Sequence, residues 1–349
     1  MAQQQQAAGT TVLPGRAMQG SGLRVPVGIL GTAVYLPETV ITNEELTHHL
    51  DTTDAWIRER TGITERRFLE PGLTTSDMCI SAARDALAAA GADPEDIDAI
   101  VVATFTHDQP LPSTAIIVKE ALGAYRAIPI DLNQAACAGG VLGIFVGSHL
   151  LQNTSLRRVL VIGAECMSRA TDPMDRTTRV FFGDAAGAVV LGEVSSGYGV
   201  LSWDIGSALS YGVQIPAGGA SLPSSAATVR ERQHYLQMDG RLVWDVATTS
   251  LPASISSAVT LAGSYLEDIR HFLIHQANLN IIAEAMATLG VPLERAAITV
   301  DRLGNTGAAT IFTVLNQVTS QRTLRRDDLM VISAIGAGFL WGSLCLRQH

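Results

Sequence analysis

Three short stretches far apart in the chain carry side chains that could share one reaction: AACAGG (135–140) around Cys137, HQAN (275–278) at His275 and GNTGAAT (304–310) around Asn305. A thiol can hold an acyl group as a thioester. An imidazole and a carboxamide can together hydrogen-bond a second thioester oxygen while negative charge builds on it. Cys137 falls between a strand ending near Leu132 and a helix without charged residues, where unpaired backbone N–H groups and the helix dipole favour a thiolate. Its neighbours Ala136, Ala138, Gly139 and Gly140 are small, leaving room for a carbonyl. Each motif alone has an ordinary alternative: a buried structural cysteine, a satisfied core histidine, a tight Asn turn capping a helix. What favours chemistry is that all three occur in one chain, each at a strand-to-helix junction.

The elements that must position them alternate. IDAIVVATFT (97–106), AIPIDL (127–132), RVLVIGAE (158–165) and AAGAVVLGEV (185–194) read as strands, mostly without polar alternation, as expected when helices cover both faces. TSDMCISAARDALAAAG (75–91) and PSTAIIVKEALG (112–123) read as helices stopped by glycine. The second half repeats the scheme with a strand at 271–276, helices at 277–290 and 307–320, and strands at 327–338 and 339–348. DLMVISAIGAGFLWGSLCL echoes RVLVIGAE followed by GDAAGAVVL, a weak internal repeat. This is the pattern of an α/β protein of two similar halves. We expect a flexible leader at 1–24, a first half at 25–195 with the nucleophile, and a second half at 196–349 with His275 and Asn305. The turn-rich stretch 214–230 is expected to lie over the site.

Composition excludes several function classes. Apolar residues make up 47% and charged residues 16% of 349, enough for a large core. A net charge of −9 without any basic run argues against nucleic acid. Four scattered cysteines suit neither a disulfide framework nor a zinc site, so Cys79, Cys166 and Cys345 read as structural thiols and no metal is expected. Asp131 to Arg157 encloses a run without Asp, Glu, Lys or Arg, but its Asn, Gln, His and four glycines point to a helix buried in protein rather than a membrane span.

The chain resembles the β-ketoacyl-acyl carrier protein synthase III family of the thiolase superfamily. The likeness runs from about residue 25 to the end, through DTTDAWIRERTGI (51–63), DPMDRTT (172–178), FFGDAAGAVVL (181–191), YLQMDGRLVW (235–244), HQANLNII (275–282), DRLGNTGAAT (301–310) and GAGFLWGS (336–343). The resemblance implies a thiolase-like five-layer αβαβα fold of two duplicated halves, acting as a cytoplasmic homodimer. It implies that Cys137 takes an acyl group from acyl-CoA and that His275 and Asn305 stabilise the enolate of a malonyl thioester, with no tightly bound cofactor. Backbone N–H groups of Cys137 and Ala337 would form the oxyanion hole, the latter at a position commonly glycine in the family. Trp56, Arg60 and Arg176 would hold the coenzyme A adenine and phosphates. Leu111 would reach across the dimer to gate the acyl pocket, leaving room for longer or branched chains. Asp245, Asn280, Ala287 and Thr288 match positions that are basic where an acidic acyl carrier protein docks, so attraction to that carrier should be weakened. The alternative is a specialised-metabolism acyltransferase or priming ketosynthase that moves the acyl group to a non-malonyl acceptor. A degradative thiolase would need a second cysteine where this chain reads AIGAG.

Overall fold

The computed structural model describes residues 17–133 and 136–349. Two five-stranded sheets form the frame. Their strands, in chain order, are β1 (Met18–Ser21), β2 (Val27–Tyr35), β3 (Ala99–Ala103), β4 (Ile128–Leu132), β5 (Arg158–Glu165), β6 (Ala185–Glu193), β7 (Gly199–Ser207), β8 (Ile269–Ile274), β9 (Leu329–Gly336) and β10 (Leu340–Arg347). The first sheet runs β2-β6-β5-β3-β4 and the second β1-β7-β10-β9-β8. Both share a run of two antiparallel pairings followed by a parallel one: β2/β6, β6/β5 and β5/β3 in the first, β7/β10, β10/β9 and β9/β8 in the second; the first adds a parallel β3/β4 and the second an antiparallel β1/β7. The weak sequence repeat is therefore a repeat of topology.

Seven helices of eight or more residues matter here: α1 (Asp54–Thr61), α2 (Thr75–Ala90), α3 (Thr114–Leu122), α4 (Gly139–Leu150), α5 (Gly240–Leu261), α6 (Leu279–Thr288) and α7 (Thr310–Ser320). Helices α2 and α3 cover the outer face of the first sheet, and α5 with α6 the outer side of the second. Between the sheets lie α4 and α7, each touching strands of both. That gives five layers, αβαβα. It also explains the apolar runs, because every residue of β3 and of β9 is buried. The uncharged stretch becomes α4, twelve residues inside protein. No helix among the described residues is long and apolar enough to cross a membrane.

Local chemistry sets the ends. Thr74 caps α2 in a capping box with Asp77, and Gly91 stops it at φ 59°. The helix expected at 307–320 begins with a tighter turn, Gly307–Ala309, before α7 proper. Three expectations change. Residues 1–16 lie outside the described residues, but Met18–Ser21, inside the stretch read as a leader, pairs with β7 of the other half's sheet. The stretch 214–230 is not all loop: Val213–Gln214 pairs with Gln237–Met238, and Ser225 caps a helical turn at Ala226–Arg230. Helix α5, with Ser and Thr breaking its apolar rows and Pro252 inside, was not evident in the sequence.

The two central helices approach unusually closely at their N-terminal ends. A methyl group at Gly140 would stand 2.9 Å from the Ala308 carbonyl oxygen, and one at Gly163 of β5 only 2.3 Å from the same atom. Because that neighbour is backbone, it cannot swing aside. We predict that Gly163→Ala lowers stability by about 1–3 kcal/mol through overpacking. Chemical denaturation compares it with Gly197→Ala, where a Cβ meets nothing within 4 Å; at Gly197 the cost should come only from its φ of 86°.

Candidate active site

Cys137 sits in the turn Ala136–Ala138 directly before α4, and Asn305 two residues before Gly307–Ala309, the equivalent turn that leads into α7. The two helix starts face one another, so duplicated positions of the two halves become opposite walls of one cavity. Cys137 Sγ lies 4.0 Å from Asn305 Oδ1. His275 follows β8, its N–H donating to the Ser333 carbonyl at 2.8 Å and so extending the β8/β9 pairing. All three residues border a cavity of about 660 Å³. Ala337, expected in the oxyanion hole, lies on the same wall after β9.

The surroundings of each motif explain its sequence. Gln276 is wholly buried and clamps three segments: its N–H donates to Thr310 Oγ1, and its side-chain oxygen accepts from Thr299 and Val300 N–H. Asn305 is held by FFGD of the first half, donating its N–H to the Phe181 carbonyl at 2.7 Å and accepting from Gly183 N–H at 3.1 Å. The Gly307 N–H donates to Asn305 Oδ1 at 2.9 Å, which assigns the oxygen to that side and leaves the NH₂ end to donate. Ala136, just before Cys137, has φ 41°. Such left-handed geometry costs an alanine about 1–3 kcal/mol and is held by the packing around it.

Electrostatics correct one expectation. The helix start is present, yet burial pushes the Cys137 thiol up to about 12, and the nearby Glu165 carboxyl pushes the same way. With burial as the largest cause, the Cys137 side chain rests as a thiol rather than a thiolate. Burial likewise lowers His275 to about 3. Its Nδ1 has no hydrogen-bond partner among the described residues, so the ring is a neutral imidazole.

The cavity wall is mostly apolar, with Phe105, Met167, Phe182, Leu236 and Trp244 among its residues. These were not singled out in the sequence, where nothing distinguishes them from core. His107 also borders it. Glu165, buried with no exposed surface, was overlooked although a carboxylate ending an apolar strand was a readable signal.

Trp56, Arg60 and Arg176 do not line this cavity. Arg176 lies over the Trp56 ring, 5.6 Å from its centroid, and donates to the Asp51 carbonyl at 2.8 Å. The cation against Trp56 is thus Arg176; Arg60, on the same helix, is exposed. The Arg60 carbonyl accepts from Asn278 Nδ2 at 3.0 Å, and Asn278 is a cavity residue, so the trio stands one hydrogen bond beyond the rim. Leu111 is also outside the cavity and 83% exposed.

Comparison with known proteins gives the same grouping. The model of 3-oxoacyl-[acyl-carrier-protein] synthase III matches residues 130–208, and that of its C-terminal part matches 259–348. A β-ketoacyl-[acyl-carrier-protein] synthase III of Symbiobacterium thermophilum is 43% identical over 324 residues, spanning 92% of this chain and 98% of that protein. The synthase III crystal structure from Thermus thermophilus matches with TM-score 0.85 at 36% identity, covering 92% of this chain and 99% of the other. The priming β-ketosynthase of the R1128 polyketide pathway matches with TM-score 0.85 at 30% identity, covering 94% and 98%. With the duplicated five-layer frame, the shared cavity and likeness over nearly the whole length all in agreement, the chain belongs to the β-ketoacyl-[acyl-carrier-protein] synthase III family.

Proposed function

We propose that this condensing acyltransferase loads an acyl group from acyl-CoA onto Cys137 and joins it to a malonyl thioester with loss of carbon dioxide. The observation that carries the reading is the meeting of Cys137, His275 and Asn305 on one apolar cavity. In the first half-reaction sulfur bonds to the acyl carbon, the coenzyme A sulfur leaves, and the thiol proton goes with it. Backbone N–H groups of Cys137 and Ala337 hold the oxyanion. In the second, the malonyl carboxylate departs as carbon dioxide and its electron pair becomes an enolate. The neutral His275 ring and the Asn305 NH₂ donate to the enolate oxygen. The enolate carbon attacks the acyl-sulfur carbonyl, and the released Cys137 thiolate takes a proton from solvent. Both thioesters arrive as substrates, so no tightly bound cofactor is required.

Trp56 and Arg176 offer a stacked aromatic and cation for the adenine, with Arg60 exposed beside them for phosphate. Homodimer formation is supported by the open edge of β4, where Ile128 is 50% exposed, and by Leu111, an apolar side chain at 83% exposure. The acceptor thioester is carried by an acyl carrier protein or by coenzyme A; Asp245, Asn280, Ala287 and Thr288 are all exposed and give an acidic carrier little attraction. A cytoplasmic site of action suits free thiols and coenzyme A substrates. The relatives do not favour transfer to a non-malonyl acceptor.

Two outcomes test this. Intact mass measured after exposure to a panel of acyl-CoAs should show one adduct, absent in Cys137→Ala; an adduct that persists there would place the nucleophile elsewhere. In Asn305→Ala, release of labelled carbon dioxide from malonyl-CoA should fall about 10²- to 10³-fold. Stability should also respond to acid. The folded pKa of His275 is about 3 against an ordinary 6.5, so between those values the unfolded chain binds more protons. The contribution is full above the ordinary value and declines as pH falls through the window. Urea midpoints at about pH 7.5 and about pH 5 should differ less in His275→Gln than in the parent.

A further inference from the structure

The mechanism leaves one buried acid without a task. Glu165 ends β5 with no exposed surface, and no ion pair among the described residues involves it. It is surrounded by hydrogen-bond donors instead. Its Oε1 accepts from Phe105 N–H at 3.3 Å. Its Oε2 accepts from Thr106 N–H at 3.1 Å, Thr106 Oγ1 at 2.6 Å and Thr104 Oγ1 at 3.2 Å. Thr106 Oγ1 in turn accepts from Cys166 N–H at 2.8 Å, closing the loop after β3 onto the end of β5. Phe105 of that loop borders the catalytic cavity.

The other side of the same side chain bears on Asn305. Gly307 is packed so tightly that a Cβ there would stand 2.4 Å from Glu165 Cγ. Its φ is 56°, and its N–H fixes Asn305 Oδ1 at 2.9 Å. The topology makes this contact reciprocal. The end of β5 packs on the Gly307–Ala309 turn of the second half, while the end of β9 packs on the Ala136–Ala138 turn of the first. Each half supports the other's helix start, and at β5 the supporting group is a buried carboxyl.

We propose that Glu165 is a positioning residue for the condensation half-reaction, holding the Thr104–Thr106 loop with both carboxyl oxygens while its methylenes seat Gly307 and thereby aim the Asn305 carboxamide. A carboxyl group is the only side chain of this length that serves both backbone donors. A carboxamide has one acceptor oxygen, so in Glu165→Gln either Phe105 or Thr106 N–H faces an NH₂ group. An unmade bond of that kind moves the loop or leaves a buried donor unpaired. A shift of the carboxyl end carries the methylenes with it against Gly307, so the effect falls on Asn305, whose NH₂ the proposed mechanism uses only in condensation.

The inference rests on the reading of Asn305 as the enolate donor, and the experiment separates the two. Acylation of Cys137 by acyl-CoA, followed by intact mass, and condensation with malonyl-CoA, followed as carbon dioxide release, are measured for Glu165→Gln, Asn305→Ala and the double variant, with melting temperatures. Glu165→Gln should keep the acylation rate and the KM for acyl-CoA within about three-fold while the condensation kcat falls about 10- to 100-fold. The double variant should lose no more than Asn305→Ala alone, because one residue acts through the other. Equal losses in both half-reactions, condensation within about two-fold of the parent, or additive losses would each overturn the assignment. If Glu165→Gln does not fold, Thr106→Val, which removes one donor and leaves the acid, must show the same split in smaller measure or the assignment fails. Asn305→Ala with intact condensation would instead overturn the reading beneath it.

Discussion

The structure depends on the contact between two helix starts pressed together between two sheets. At Gly139, Gly140 and Gly163 there is no space for a further methyl group without meeting backbone or a side chain, Ala308 among them each time. Only small residues allow α4 and α7 to begin this close. That closeness is what brings a thiol from one half within 4.0 Å of a carboxamide from the other. The small residues of AACAGG and GAAT thus serve packing first, and chemistry because of it.

Duplication explains why the site has two sides, and divergence explains why they differ. Near equivalent helix starts lie Cys137, inside its turn, in one half and Asn305, just before its turn, in the other, and the ends of β5 and β9 carry Glu165 and the Gly336–Gly338 turn. Parallel strands put their carboxyl ends beside the following helix starts, so functional groups from both halves gather at one rim. Backbone pairing crosses between the halves at the same place, where Phe182 bridges Asn305.

Burial gives the site its electrostatic character. A mostly apolar cavity holds the thiol protonated and the imidazole neutral. Burial also pushes Glu165 up to about 8 against the pull of its four donors. Neutral groups cost little to hide, and a low dielectric strengthens their hydrogen bonds once charge appears on a substrate oxygen. The resting site is thus uncharged around the sulfur, and the charge arrives with the reaction.

Much of this could be read from residues alone. Apolar runs without alternation marked β3, β5, β6 and β9 because strands covered on both faces have no polar side to show. Glycine stops marked α2 and α3, and Ser and Asp at its start marked α2, since those signals are local. Cys137, His275 and Asn305 stood out because each sits at a junction that small or turn-forming residues announce, and the fold brings all three to one cavity. What tertiary structure alone decided was non-local. Sequence could not show that Arg176 rather than Arg60 covers Trp56, since a cation–π pair between positions 120 apart has no local signature. Nor could it show that Met18–Ser21 completes the opposite half's sheet, or that burial keeps Cys137 a thiol. Residue types and spacing determine which elements form and which groups can react. Distances between elements, and the water excluded between them, exist only once the chain has packed.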